Sequence, residues 1–151
     1  MLAKKLNPSP RTNATFIEPM ECLAVSKLPE AAHWIWEIKI DGYRAIVVKS
    51  GDNVNLYSRT RKSFNRQFSY IVEALADMPS GTVIDGELVA IDETGRPNFN
   101  LFQNFRSAAS RIQYYLFDLL CLNERDLTGL PLIERRVLLK SLSFKDKNQN
   151  R

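Results

Sequence analysis

The sequence predicts an α+β fold, mainly antiparallel sheet with flanking helices. Three observations point there. Several segments alternate apolar and polar residues with a period of two, the pattern of strands with one face toward a core. Two β-rich runs, residues 43–49 and 54–58, flank the turn cluster Ser50-Gly51-Asp52-Asn53, which reads as a hairpin. Two further segments instead carry apolar residues at helical spacing.

A chain of 151 residues suits one domain. Its apolar fraction of 44% and charged fraction of 25% are ordinary for a soluble globular protein. The net charge of +4 is compatible with a polyanionic partner without demanding one. Cys22 and Cys121 lie far apart without metal-ligand spacing, so free thiols in a reducing compartment are the simplest reading. The basic start lacks the apolar core of a signal peptide, and no run approaches the ~20 apolar residues of a membrane span. A cytoplasmic protein without a membrane partner is the expectation.

Residues 1–15 are polar, with Pro8 and Pro10, and read as a flexible lead-in. A short helix or loop around residues 26–34 follows; His33, the one histidine, reads as structural. Residues 34–44, WIWEIKIDGYR, put Trp34, Trp36, Ile38 and Ile40 on one parity and Ile35, Glu37, Lys39 and Asp41 on the other. As a strand, this gives an apolar, core-directed face and a face with Glu37, Lys39 and Asp41 in a row. Gly42 permits a turn or a close backbone approach. Two readings fit this stretch: a half-buried strand with a solvated charged face, or a reaction centre.

After the hairpin, Arg59, Arg61, Lys62 and Arg66 form either a solvated basic loop or an anion-facing one. Ser63 is placed to cap a helix whose Phe68, Ile71, Val72 and Leu75 face the core, and residues 78–81 end it. Residues 82–92 form another strand, with Asp85 and Glu87 on one face and Gly86 between them. A glycine there weakens the strand, a cost most readily understood where something approaches the backbone; a solvated edge is the alternative. Residues 92–97 are a turn, and Phe99, Leu101, Phe102 and Phe105 suggest a short helix or packed loop. Residues 111–122 are a strongly apolar strand containing Asp118, a carboxylate that needs a partner. A polar turn at 123–128 precedes Pro131, which opens a helix with an apolar stripe of Ile133, Val137, Leu138 and Leu142. Residues 143–151 are a polar tail.

Together these residues resemble the adenylation domain of ATP-dependent DNA ligases, part of the covalent nucleotidyltransferase superfamily, and most of all the ligase domain of bacterial end-joining systems. Lys39-Ile40-Asp41-Gly42-Tyr43-Arg44 matches the K-x-D-G-x-R motif. Ser58-Arg59 matches the next motif, with Thr60-Arg61 where an Asn-Gly-like pair is usual. Asp85-Gly86-Glu87 matches the third, and Tyr115 to Asp118, with Phe117-Asp118 at its core, the fourth. FIEPM at 16–20 and GLPLIERR at 129–136 are similar to the bacterial enzymes. The likeness spans roughly residues 16–142, taken as a partial adenylation domain of ATP-grasp-like nucleotidyltransferase fold.

The resemblance implies that Lys39 attacks the α-phosphate of ATP, releasing pyrophosphate and forming lysyl-AMP. AMP would then pass to a DNA 5′-phosphate at a nick. It further implies that Glu37 contacts the adenine amino group, Phe117 stacks on adenine, and Arg44 and Arg59 bind ribose or phosphate. Glu87 would hold the ribose or a magnesium ion, while Asp41 and Asp85 are supporting residues. Nothing after Asp118 fits the family's next acidic motif or its Lys-x-Lys strand. The sheet is therefore expected to be incomplete, inviting a homodimer or a complementing chain, with catalysis impaired. Two competing readings are a non-catalytic nucleotide-binding or interaction module and an RNA ligase or capping-type nucleotidyltransferase.

Overall fold

The computed structural model describes residues 11–30, 34–103 and 111–142. His33, Phe105, residues 1–10 and the tail 143–151 lie outside them. The elements are β1 (Tyr43–Ser50), β2 (Asn53–Ser58), α1 (Ser69–Ala74), β3 (Thr82–Ile91), α2 (Asn100–Gln103), β4 (Arg111–Leu122), β5 (Arg125–Asp126) and α3 (Leu132–Ser141). The five strands form one antiparallel sheet in the order β2-β1-β3-β4-β5. The expected α+β architecture is what forms.

The central strands are covered on both faces, which is why β1 reads as a continuous apolar run. Ala45 and Val47 join Leu56, Phe68, Ile84, Leu88 and Leu119 on one side. Ile46 and Val48 join Ala14, Val83, Leu120 and Cys121 on the other, with Phe16, Ile17 and Tyr57 packed against them. Fully burying side chains of this kind contributes roughly 1.5–3 kcal/mol each, so the sheet's cohesion resides here. Both cysteines are free, Cys22 exposed and Cys121 buried.

Asp118 finds its partner: Arg135 of α3 holds both its oxygens at 2.7 Å. That pair also corrects the helix's rotation. Ile133 and Val137, expected on the core stripe, are 56% and 63% exposed, while Leu139 is buried. Arg135 and Leu139 lie four apart on one face, and anchoring that face to Asp118 turns Ile133 and Val137 outward. Ser63 is likewise not a cap. The α1 cap position is Phe68, without a side-chain cap bond, and Ser63 bridges Tyr57 beside β2.

The largest departure is upstream of β1. Residues 34–41 form no strand, and their supposed core face is open: Trp34, Trp36 and Ile38 are 51%, 64% and 89% exposed. The β3 edge that would pair with them is taken. The Leu88 carbonyl faces Gly42, so the Ala90 carbonyl, two residues on, faces the same way. It accepts the Asn98 N–H at 2.8 Å, and Pro97 bridges Ile91. The turn after β3 folds back onto the edge and closes the ladder at Tyr43.

Candidate active site

The end of the β1 ladder opens a cleft of about 690 Å³. Gly42 shapes it: a Cβ there would lie 2.0 Å from the Leu88 carbonyl oxygen, so only glycine allows the chain to leave the sheet so closely. Lys39, Asp41, Arg44, Arg59, Thr60 and Glu87 line the cleft. Its aromatic wall includes Phe64 and Phe99, both packed against Tyr43, with ring centroids 6.3 and 5.7 Å away.

Register explains the polar side. Arg44 pairs with Glu87 and Ile46 with Asp85 across β1 and β3, which puts both carboxylates on the Arg44 face. Arg44 donates to Asp85 from Nε at 3.0 Å and Nη2 at 2.6 Å, and from Nη1 to the Met20 carbonyl at 2.8 Å. Its guanidinium sits 5.5 Å over the Phe117 ring. The hydrogen bonds to Asp85 hold Arg44 firmly charged. Burial pushes the Asp85 carboxyl up while Arg44 pulls it down; the bidentate geometry fits an ionised pair. Glu87 is raised chiefly by burial, against the pull of the Gly42 backbone N–H, Arg44 and Lys39.

Gly86 serves the sheet rather than a ligand. A Cβ on it would meet the Tyr114 ring and the Tyr115 carbonyl at 2.5 Å. The space lets the Tyr114 hydroxyl donate to the Ala45 carbonyl at 2.8 Å, across β3. A register shift between Asp85 and Gly86 relative to β4 marks the spot.

Lys39 is exposed and ion-paired with Asp41. The hydrogen bond to Asp41, then its charge, raise the lysine above its ordinary value; burial opposes this, and Glu87 adds to the rise. Arg59 lies 3.9 Å from Glu21 and Arg61 3.7 Å from Glu18. Arg61 occupies a left-handed backbone position, φ 60°, the conformation that makes glycine usual there. Its guanidinium lies 4.7 Å over the Phe16 ring.

Glu37 and Phe117 lie outside this cleft. Glu37 is ion-paired with Arg136 of α3. Phe117 and Arg136 line a second cavity of about 240 Å³ with Leu116, Leu139, Lys140 and Leu142. Sequence reasoning missed Arg135, Arg136 and the Met20 carbonyl. The signal for the first was available: a buried Asp118 requires a basic partner, and Glu134-Arg135-Arg136 lies on the next helix. Among the described residues, no group of three or more His, Cys, Asp or Glu could hold a metal ion. No helix among them is long and apolar enough to cross a membrane.

Residues 1–150 match the profile of the ATP dependent DNA ligase domain. The chain is 35% identical to DNA ligase C of Mycobacterium tuberculosis over 133 residues, covering 82% of this chain and 37% of that protein. It is 30% identical to the SPbeta prophage-derived DNA ligase-like protein LigB of Bacillus subtilis over 136 residues, covering 88% and 50%. The structure resembles a mycobacterial DNA ligase D complexed with ATP and MES, with TM-score 0.60 and 36% identity over 69% of this chain and 35% of that one. The chain thus spans half or less of the length of these relatives.

Proposed function

The chain belongs to the ATP dependent DNA ligase domain family, and we propose that it is an adenylation module in which Lys39 accepts AMP from ATP for DNA nick sealing. The observation that carries this reading is the convergence of Lys39, Arg44, Arg59 and Glu87 on one cleft, although they come from three separate stretches of sequence. In the step proposed, the exposed Lys39 Nζ gives its proton to solvent and forms a bond to the α-phosphorus, and the bond to pyrophosphate breaks, its electron pair leaving with the pyrophosphate oxygen. Arg44 and Arg59 supply fixed positive charge for phosphate oxygens. Asp85 keeps the Arg44 fork in place, and Gly42 lets Lys39 approach the sheet end. Glu37 and Phe117 take the adenine, and the second cavity beside Phe117 is the proposed base site.

Magnesium fits this cleft in a limited way. Asp85 is committed to Arg44, which leaves Glu87 as a half-buried carboxylate able to share an ion with the nucleotide phosphates, a usual arrangement for magnesium. When bound, such an ion neutralises phosphate charge. DNA, and a second copy or complementing chain through the incomplete sheet, are the further partners proposed.

One observation favours a second reading, nucleotide binding without transfer: Asp41 stabilises the ammonium form of Lys39, and an ammonium is not a nucleophile. Incubation with ATP labelled in the α-phosphate and magnesium, followed by denaturing electrophoresis, separates the two. Label retained by the chain and lost in Lys39→Ala supports transfer. ATP binding without label supports binding alone, and no binding contradicts both.

A further inference from the structure

We infer that Arg136 is a positioning residue for base selection, holding Glu37 so that the site takes adenine in preference to guanine; this rests on the nucleotide site proposed above. Arg136 joins two residues that the cleft itself does not gather. One side of its guanidinium pairs with Glu37 Oε1, across 99 residues of sequence. The side chain also lines the second cavity with Phe117. The neighbouring Arg135 grips Asp118, the residue after Phe117, with two 2.7 Å bonds. Consecutive arginines of one helix therefore tie down the strand carrying the ring and the segment carrying the carboxylate.

The chemistry follows from which atoms are left over. Residues 34–41 have no strand partner among the described residues, so the ladder does not orient Glu37. Arg136 takes Oε1 and leaves Oε2 to accept a hydrogen bond. An ionised carboxylate is an acceptor only. It satisfies the exocyclic amino group of adenine and meets the guanine carbonyl at the same ring position with repulsion. Selectivity thus comes from fixing an acceptor beside the Phe117 face. Without Arg136, Glu37, which lies outside the strand ladder, is free to turn to water, and the distinction between the bases is lost.

The test uses the full chain with magnesium and the non-transferable α,β-methylene analogues of ATP and GTP, titrated calorimetrically. Wild type should prefer the adenine analogue. Arg136→Ala should lower the adenine-to-guanine affinity ratio about tenfold, the equivalent of one well-placed hydrogen bond, and Arg136→Lys should restore part of it. Glu37→Gln, whose amide can donate to the guanine carbonyl, should lower the ratio by a similar factor. A purely structural role for Arg136 would weaken both nucleotides alike and leave the ratio unchanged, which overturns the inference while sparing the nucleotide site. If circular dichroism shows Arg136→Ala unfolded, an unchanged ratio in Glu37→Gln overturns it instead. Failure of wild type to bind either analogue overturns the nucleotide site and this inference together.

Discussion

Strand β3 and residues 34–41 carry almost the same sequence pattern and meet opposite fates. Each alternates apolar residues with acidic ones, yet Ile84 and Leu88 are fully buried while Ile38 is 89% exposed. The difference is the neighbours. β3 has β1 on one side and β4 on the other. Residues 34–41 face an edge already closed by Asn98 and Pro97. Their ion pairs differ in the same way: Arg44–Asp85 and Arg135–Asp118 are largely buried, whereas Lys39–Asp41 is exposed. Alternation specifies a potential strand face, and only a ladder partner turns it into a strand.

Breaking the buried half should cost most. Arg135→Ala leaves the Asp118 carboxylate uncompensated in the sheet and should destabilise the protein by about 3–5 kcal/mol; Ile84→Ala, by creating a cavity, should cost about 2–5 kcal/mol. Urea denaturation reads both. Gly86→Ala should cost about 1–3 kcal/mol by overpacking against Tyr114, with the tyrosine near-ultraviolet signal changing alongside.

Glu87 gives a subtler, pH-dependent comparison. Burial raises its folded-state value above the ordinary 4.5, so between those values the folded state binds more protons than the unfolded one. Its contribution to stability therefore falls as pH rises through that window. Glu87→Gln removes this fall, and its urea midpoint should gain on wild type as pH goes from acidic to neutral. A constant gap would contradict the burial argument. The smallest effect belongs to the open segment: Ile38→Ala should change stability by less than about 0.5 kcal/mol, against the large loss at Ile84.

The strands β1 to β4 were legible because β-rich, alternating or strongly apolar runs are separated by turn clusters and helical spacing, and the partner of Asp118 was required by burial alone. The acidic face of β3 was legible too, since alternation alone puts Asp85 and Glu87 on one side; that this side meets Arg44 is set by the register with β1. The fate of residues 34–41 was not, because it depends on where the turn after β3 folds back, a tertiary fact with no local signature. The rotation of α3 was half legible: Leu138 and Leu142 of the expected stripe pack on the core, while the Arg135–Asp118 pair turns Ile133 and Val137 outward. Of the site residues, Lys39, Arg44, Arg59 and Glu87 converge, whereas the link between Glu37 and Arg136 spans too much sequence to read from spacing.

Native-state hydrogen exchange tests the contrast most directly. Amides of residues 34–41 should exchange orders of magnitude faster than those of residues 83–90, because they lack a ladder and sit in solvent. Equal protection of the two segments would mean that residues 34–41 are paired in the sheet after all, and would contradict an open Lys39 segment beside the cleft.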